Sequence, residues 1–444
     1  MTCGFTGDGW TRLTAVALVA VPLTMALVPA ASKPEEVGLS SERLQRVHEA
    51  VQRHIDAKEL SGVVTLVARK GRIAHFEAQG LMDIESKKPM PKDGIFRLAS
   101  MSKPITGAAV MMLVEEGKIR LTDPVSRFIP ELKNLNKVAV PKPGAQAGGA
   151  GGRGGAPAAG GRGGAPGTGG RGAAPDFDTV SASREITIRD LLTHGSGLVS
   201  GGLGNSMAPQ RAPTDTLATF IPTLASVPLD FQPGTLWRYS GQAGFDVLSR
   251  VIEVVSGQTY EQFLKQRLFE PLGMKDTGFY PSYDGAARLV TLYSRQGGEL
   301  VRVPNQDTGV SKVYFSGAGG IMTTASDYLQ FAQMMLNGGQ LNGKRFLSPK
   351  TIELMTSNHT GDMVNGQFGR PARGMGFGLS VQMVLDPVAA DLRVGTGTYG
   401  WAGAYGCNVN IDPKENMVSI IMMQTATGPL QRDFENAVWQ AIVE

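Results

Sequence analysis

Cysteine is almost missing from this 444-residue chain, where only Cys3 and Cys407 occur. If a leader carrying Cys3 is removed, no internal disulfide can form and the fold must rest on its core. Cys407 has no histidine near it in sequence and reads as a small buried residue rather than a nucleophile. Histidine is scarce as well: His48, His54, His75, His194 and His359 show no paired zinc spacing, so neither metal nor cofactor is implied. A net charge of +4 over this length gives no reason to expect nucleic acid as a partner. No Gly-x-Ser-x-Gly elbow occurs, which excludes an α/β-hydrolase. The glycine-rich Ser316–Thr324, SGAGGIMTT, lacks the Gly-Lys-Ser/Thr of a phosphate loop; close backbone packing accounts for its glycines.

Long apolar runs are confined to Leu13–Ala31, which follows Arg12 and ends in small residues. A secretory signal cut after Ala30 or Ala31 fits best, with Pro22 and Pro29 favouring cleavage over an uncut anchor. Residues 1–31 are therefore expected to be a signal peptide, and the protein periplasmic or secreted. No membrane span would remain after cleavage. A second foreign stretch, 144–175, repeats GGRGGAPAA, GGRGGAPGT and GGRGAAPDF around Arg153, Arg162 and Arg171. With nothing apolar larger than alanine it cannot offset its ordering entropy, so a disordered surface loop is expected.

What is present begins with Phe96–Leu121, FRLASMSKPITGAAVMMLVEEGKIRL. Ile105, Ala108, Ala109, Met112 and Leu113 recur at helical spacing, and Gly117 stands where a helix would be capped. A helix starting near Ser102 places Ser100 just ahead of its positive end and Lys103 in its first turn. An ammonium, a hydroxyl and free backbone N–H groups thus meet, as a nucleophilic serine requires. Ser-x-x-Lys alone is weak, since about one chance match is expected in a chain this long.

Elsewhere, Glu42–Ile55 reads as an amphipathic helix with His48 and His54 on its polar side. Val63–Ala68 and Ile73–Ala78 read as strands joined across Gly71. His194, in LLTHGSGL, is open to two readings, a catalytic base or a histidine bonding backbone at a helix end; the second is favoured. Tyr239 falls just before the helix Gly244–Ser256, where catalytic groups are often placed, although a tyrosine near a tryptophan is also ordinary core. Ala325–Leu336 reads as a helix, Cys407–Ile411 and Met417–Met423 as adjacent antiparallel strands, and Asp433–Val443 as a last helix. Its apolar stripe would be Phe434, Val438, Ile442 and Val443.

Ser100-Met101-Ser102-Lys103, Tyr239-Ser240-Gly241 and Trp401-Ala402-Gly403 stand in an order that resembles the serine β-lactamase and penicillin-binding protein superfamily. Within it the chain is most similar to class C β-lactamases and family VIII carboxylesterases. LLTHGSGL, EPLGMKDTGF and GAGGIMTTASDYLQFAQMMLNGG are also typical, and the likeness runs over about 35–444 apart from the repeat. The resemblance implies an α+β fold of the α/β-α β-lactamase/transpeptidase type. Its antiparallel sheet, from 35–98 and roughly 290–444, would be flanked by helices and interrupted by a mostly helical region, about 99–290. Residues 32–444 would form one such serine hydrolase domain.

The same resemblance implies roles. Ser100 would be acylated, Lys103 would take its proton, and Tyr239 would shuttle a proton between serine, leaving group and water. The N–H groups of Ser100 and Ala404 would hold the oxyanion, and Gly403 would keep the strand open to the substrate carbonyl. Two departures stand out. Gly241 replaces the asparagine of Tyr-x-Asn, and Trp401-Ala402 replace the lysine and threonine that recognise a β-lactam carboxylate. Substrate-binding positions would thus be Gly241, Trp401, Ala402 and Gly403. An indole in place of a cation favours uncharged esters over penicillins. The reading is an acyl-enzyme carboxylesterase on short-chain esters, with weak β-lactam turnover. A D-amino-acid or cell-wall peptidase or amidase, and a penicillin-binding sensor that stays acylated, are the alternatives.

Overall fold

The computed structural model describes residues 1–2, 4, 28–31, 33–142, 177–304, 311–364 and 373–444. Cys3, most of the expected signal peptide and the 144–175 repeat lie outside them. Pro29 and Ala31, at the end of the leader-like stretch, pair their backbones with Ile73.

After a 3-10 turn, Pro34–Val37, comes helix α1 (Ser41–Asp56), whose N-cap Ser40 accepts the Arg43 N–H. Strands β1 (Gly62–Arg69), β2 (Arg72–Asp83) and β3 (Lys88–Pro89) follow. Next come helices α2 (Lys103–Glu115), α3 (Ile188–Leu192), α4 (Ala243–Ser256) and α5 (Ala325–Leu336). Strands β4 (Met375–Phe377), β5 (Gln382–Val384), β6 (Tyr399–Ala402), β7 (Asn408–Asp412) and β8 (Met417–Met423) precede the last helix, α6 (Gly428–Trp439). The strands form one eight-stranded sheet in the order β4-β5-β6-β7-β8-β1-β2-β3, with every pairing antiparallel.

β1 sits between β8 and β2 and is buried along its whole length, which is why Val63, Val64, Leu66, Val67 and Ala68 crowd into GVVTLVAR. Each fully covered Val or Leu there contributes about 1.5–3 kcal/mol. Lys70 and Gly71, both left-handed, make the tight β1–β2 turn. α1 and α6 pack together on one face of the sheet. α5 covers the other face, where its core joins that of α2 and α4. Residues 99–290 hold α2 to α4 and shorter helical turns, but also a hairpin, Lys137–Pro141 with Phe177–Ser181.

Two readings need correction. His54 is not on a polar face: it lies buried between α1 and α6, with Nδ1 2.6 Å from a Glu59 oxygen and Nε2 3.0 Å from an Asp433 oxygen. Its carboxylate partners lie far off in sequence or outside the helix, so periodicity carried no trace of them. The last helix starts at Gly428, not Asp433, because Pro429 fits a first turn. It ends at Trp439, leaving Val443 exposed rather than in the apolar stripe. Among the described residues no helix is long and apolar enough to cross a membrane.

Candidate active site

Ser100 lies in a short 3-10 turn, Ala99–Ser102, that runs directly into α2. Ala99 is left-handed, at φ 47°, a strained conformation for a residue with a Cβ. The turn is held from both sides. Leu98 N–H donates to Ile321 O at 2.9 Å, and Ile321 N–H donates to Ser102 Oγ at 3.3 Å. At the strand side, Gly403 presses on it so closely that a Cβ would fall 2.0 Å from Leu98 O. Docking of the serine turn against the end of β6 therefore requires this glycine. Access for a substrate carbonyl, the expected reason, is not what fills that space.

Three side chains separated by up to 139 positions meet at one oxygen. Tyr239 Oη donates to Ser100 Oγ at 2.6 Å. Lys103, 1 % exposed, brings Nζ to 3.1 Å from the same Oγ. Its remaining donors go to Gly241 O at 2.9 Å and Ala318 O at 2.8 Å. Those two carbonyls fix two Nζ–H directions and leave the third aimed at the serine. As an ammonium Nζ donates along it; as an amine it offers a lone pair there. The lysine also lies 5.0 Å from the Tyr239 ring centroid.

A layer behind these groups was not anticipated from sequence. Ala318 belongs to the glycine-rich turn, which approaches α2 and α4 so tightly that a Cβ on Gly317 would strike Ser249 Oγ at 2.1 Å. The turn is anchored by buried Asp246 on α4, which accepts from Tyr314 Oη at 2.9 Å, Ser316 Oγ at 2.6 Å and Ala318 N–H at 3.2 Å. Burial raises the Asp246 carboxyl above its usual range, against the pull of these hydrogen bonds and of Lys103. Asp246 thus holds the residue that holds the lysine. The available signal was a carboxylate in an apolar helix, but in a first turn that is easily read as a dipole partner.

α3 opens with a Thr187–Asp190 capping box and delivers His194 in a left-handed conformation. Its Nδ1 accepts Ser240 N–H at 3.3 Å and its carbonyl accepts Arg238 N–H at 3.2 Å. The backbone-bonding reading of His194 holds, and the backbone it bonds is the segment carrying Tyr239. The ring lies among aromatic neighbours, 4.6 Å from the Tyr239 centroid and 5.3 Å from that of Phe377. Burial, then the nearby Lys103, depress its pKa well below the usual histidine value.

Ser100, Tyr239, Trp401, Ala402, Gly403 and Ala404 line one cavity of about 690 Å³. Ala404 lies one turn beyond the strand, in a loop closed by Gly403 N–H to Cys407 O at 2.8 Å and Gly406 N–H to Gly403 O at 3.0 Å. Gly241 is exposed and has open space around it, and what it brings to the cluster is its carbonyl, turned toward Lys103. Cys407 is buried with its thiol pushed up to about 12 by desolvation, which makes it inert. Among the described residues no group of three His, Cys, Asp or Glu is placed to hold a metal.

Esterase EstB of Burkholderia gladioli is 30% identical over 415 residues, covering 86% of this chain and 91% of that protein. EstCE1, a solved structure described as a hydrolase with promiscuous acyltransferase activity, matches with TM-score 0.70 at 27% identity, over 90% of this chain and 99% of that one. The fold is thus of the β-lactamase/transpeptidase type, and the protein is a serine hydrolase. More narrowly, it belongs to the beta-lactamase family, whose model matches residues 47–443. Protein Rv1367c of Mycobacterium tuberculosis is similar too, 36% identical over 385 residues, or 83% of this chain and 87% of that protein.

Proposed function

We propose that the protein is a carboxylesterase that works through an acyl-enzyme on Ser100. The observation that carries this is one oxygen held by a phenol at 2.6 Å and a buried lysine at 3.1 Å. In the proposed cycle, Lys103 as an amine takes the Ser100 proton while Oγ adds to the ester carbonyl. Tyr239 gives its proton to the departing alcohol oxygen as the C–O bond breaks, and Lys103 returns a proton to Tyr239. Water then enters along the same path, losing a proton to Tyr239 as the phenol passes its own to Lys103. Collapse of the second intermediate breaks the acyl–Oγ bond, the proton returns to Oγ, and the acid and Ser100 are released. The N–H groups of Ser100, in a first turn without intrahelical partners, and of Ala404 would receive the oxyanion.

Esters are favoured over β-lactams because Trp401 and Ala402 offer no charge or hydroxyl to a carboxylate. The indole is itself packed 5.6 Å from the Tyr239 ring and 5.3 Å from Phe377. EstB, an esterase by name, supports the same side. Short acyl chains and a slow, residual β-lactam turnover complete the reading, and the leader-like Leu13–Ala31 supports export. Hydrolysis of p-nitrophenyl butyrate that disappears in Ser100→Ala, with a butyryl adduct on the wild type by intact mass, is the expected result. Equal rates in the two proteins would defeat the proposal, and D-alanine release from a muropeptide without ester turnover would replace it with a peptidase.

A further inference from the structure

The cavity of about 690 Å³ does not stop at Ser100 but continues over the face of β5, β6 and β7. Strand register fixes its floor. Gln382, Gly400 and Asn410 stand opposite one another across the three strands, and Ala402 stands opposite Asn408. Residues in register, and residues two apart, share a face. Three carboxamides therefore surround two positions with almost no side chain. Gly400 is imposed by the backbone, because a Cβ there would lie 1.9 Å from Val409 O. All three amides are half-buried, and no hydrogen bond joins any of them to another described residue.

The walls differ. One is apolar, built from Val384, Leu392 and Val394. The other is the first half of α6, where Gln431 is tied to Gly406 O at 2.8 Å and Arg432 is exposed. Two carboxylates also reach this wall, but Asp433 is engaged by His54 at 3.0 Å and Glu435 has an interaction of its own.

We infer that this trough receives the larger half of the ester, a ring-sized neutral group with several hydroxyls on one face and hydrocarbon on the other. A cavity this large is of the size that encloses a whole small ligand, and a butyryl group fills little of it. Each carboxamide both donates and accepts, which suits hydroxyls and gives no preference for an ion. A plain hydrocarbon would strip water from three amides without replacing it, and sites built to bond a hydroxyl discriminate strongly against analogues lacking one. Val384, Leu392 and Val394 then cover the opposite, apolar face of the ring. The inference rests on the acyl-enzyme reading of Ser100 and extends it from short esters to esters with one bulky, hydroxylated half.

The test measures binding without turnover, by calorimetry on Ser100→Ala. Two matched pairs are compared: 6-O-butyrylglucose against cyclohexylmethyl butyrate, and the methyl ester of a tetrahydroxycyclohexanecarboxylic acid against methyl cyclohexanecarboxylate. In one pair the hydroxylated member is expected to bind about tenfold tighter or more. Asn410→Leu in the same background should reduce that preference to about twofold or less, and Gln382→Leu serves equally if the first variant does not fold. Equal or tighter binding of the apolar member in both pairs overturns the subsite, as does a preference that survives a folded variant. Failure of the esterase reading shows separately, as absent p-nitrophenyl butyrate turnover with Ser100 intact.

Discussion

The two sides of Ser100 are built on opposite plans. On the helix side the polar groups are committed: Lys103 spends its three donors on Ser100, Gly241 and Ala318, and Asp246 accepts three hydrogen bonds. On the sheet side the Gln382, Asn408 and Asn410 carboxamides line a trough without a hydrogen bond to another described residue. A committed network fixes atoms to within the tolerance that bond making demands, whereas uncommitted amides are free for a ligand. On the proposed reading, chemistry and recognition fall on separate elements, α2 with its supporting loops and the β5–β7 face. Changes on the first side should reduce kcat, and changes on the second should alter the ranking of substrates.

The sharpest break of that contrast is Lys103→Met, which keeps the length of the side chain and cannot carry a proton. Ester turnover should fall by about 10²–10⁴-fold in kcat with binding to the groove kept, as expected for loss of a positioned base. A rise in KM at constant kcat would move Lys103 to the recognition side and dissolve the distinction.

Proton access separates buried and open regions in the same way. His75, half-buried on β2 beside the Thr65 hydroxyl, is pushed down to about 4 mainly by desolvation, and His194 lies well below the usual value of 6.5. A base with a depressed folded pKa leaves the unfolded chain binding more protons, so its stabilisation is complete above about 6.5 and is lost as the pH falls toward 4. For His75 the loss is on the order of 3 kcal/mol. Urea unfolding at pH 7 and pH 5 should show lower stability in acid, with the difference reduced in His75→Gln. Asp327, raised to about 6 by burial, works in the opposite direction over part of that interval, so its Asn variant should steepen the acid loss.

Gly403 joins the two sides, and its substitution tests whether they are separable at all. In Gly403→Ala the new Cβ would lie 2.0 Å from Leu98 O, a backbone atom unable to swing away. The serine turn and the end of β6 must part, and a displacement near 1 Å costs about 10²-fold in rate. The measurement is kcat/KM on a small ester beside a melting curve, and a fall in rate with melting little altered is expected.

Much of this arrangement was legible in the chain. β1 and β8 are runs of apolar residues because neighbours cover both their faces, and Lys103 and Tyr239 carried motif spacing. The supporting layer was not legible. Ala318 acts through its carbonyl, which no residue type advertises, and Asp246 acts through tertiary bonds to residues some 70 positions away. The amide floor was hidden for a related reason. Asn408 and Asn410 are ordinary polar residues on a strand until register sets them beside Gln382 and the bare backbone of Gly400.

His194 carries the smallest of the expected effects and the finest test of what a committed side means. Its Nδ1 accepts from Ser240 N–H, which puts the ring proton on Nε2 and keeps the imidazole neutral between aromatic rings. It touches neither Ser100 nor Lys103 by hydrogen bond, so any influence on rate must pass through the backbone next to Tyr239. His194→Phe preserves the aromatic packing and removes the acceptor, leaving the Ser240 amide unpaired and the phenol less firmly held. A fall of about tenfold in kcat is expected, in line with one lost hydrogen bond of about 1 kcal/mol or somewhat more. His194→Asn carries an oxygen acceptor at similar reach and should recover much of the loss despite its smaller volume. If Phe is the better substitute, packing rather than the Ser240 bond positions Tyr239, and the committed network ends one residue short of His194.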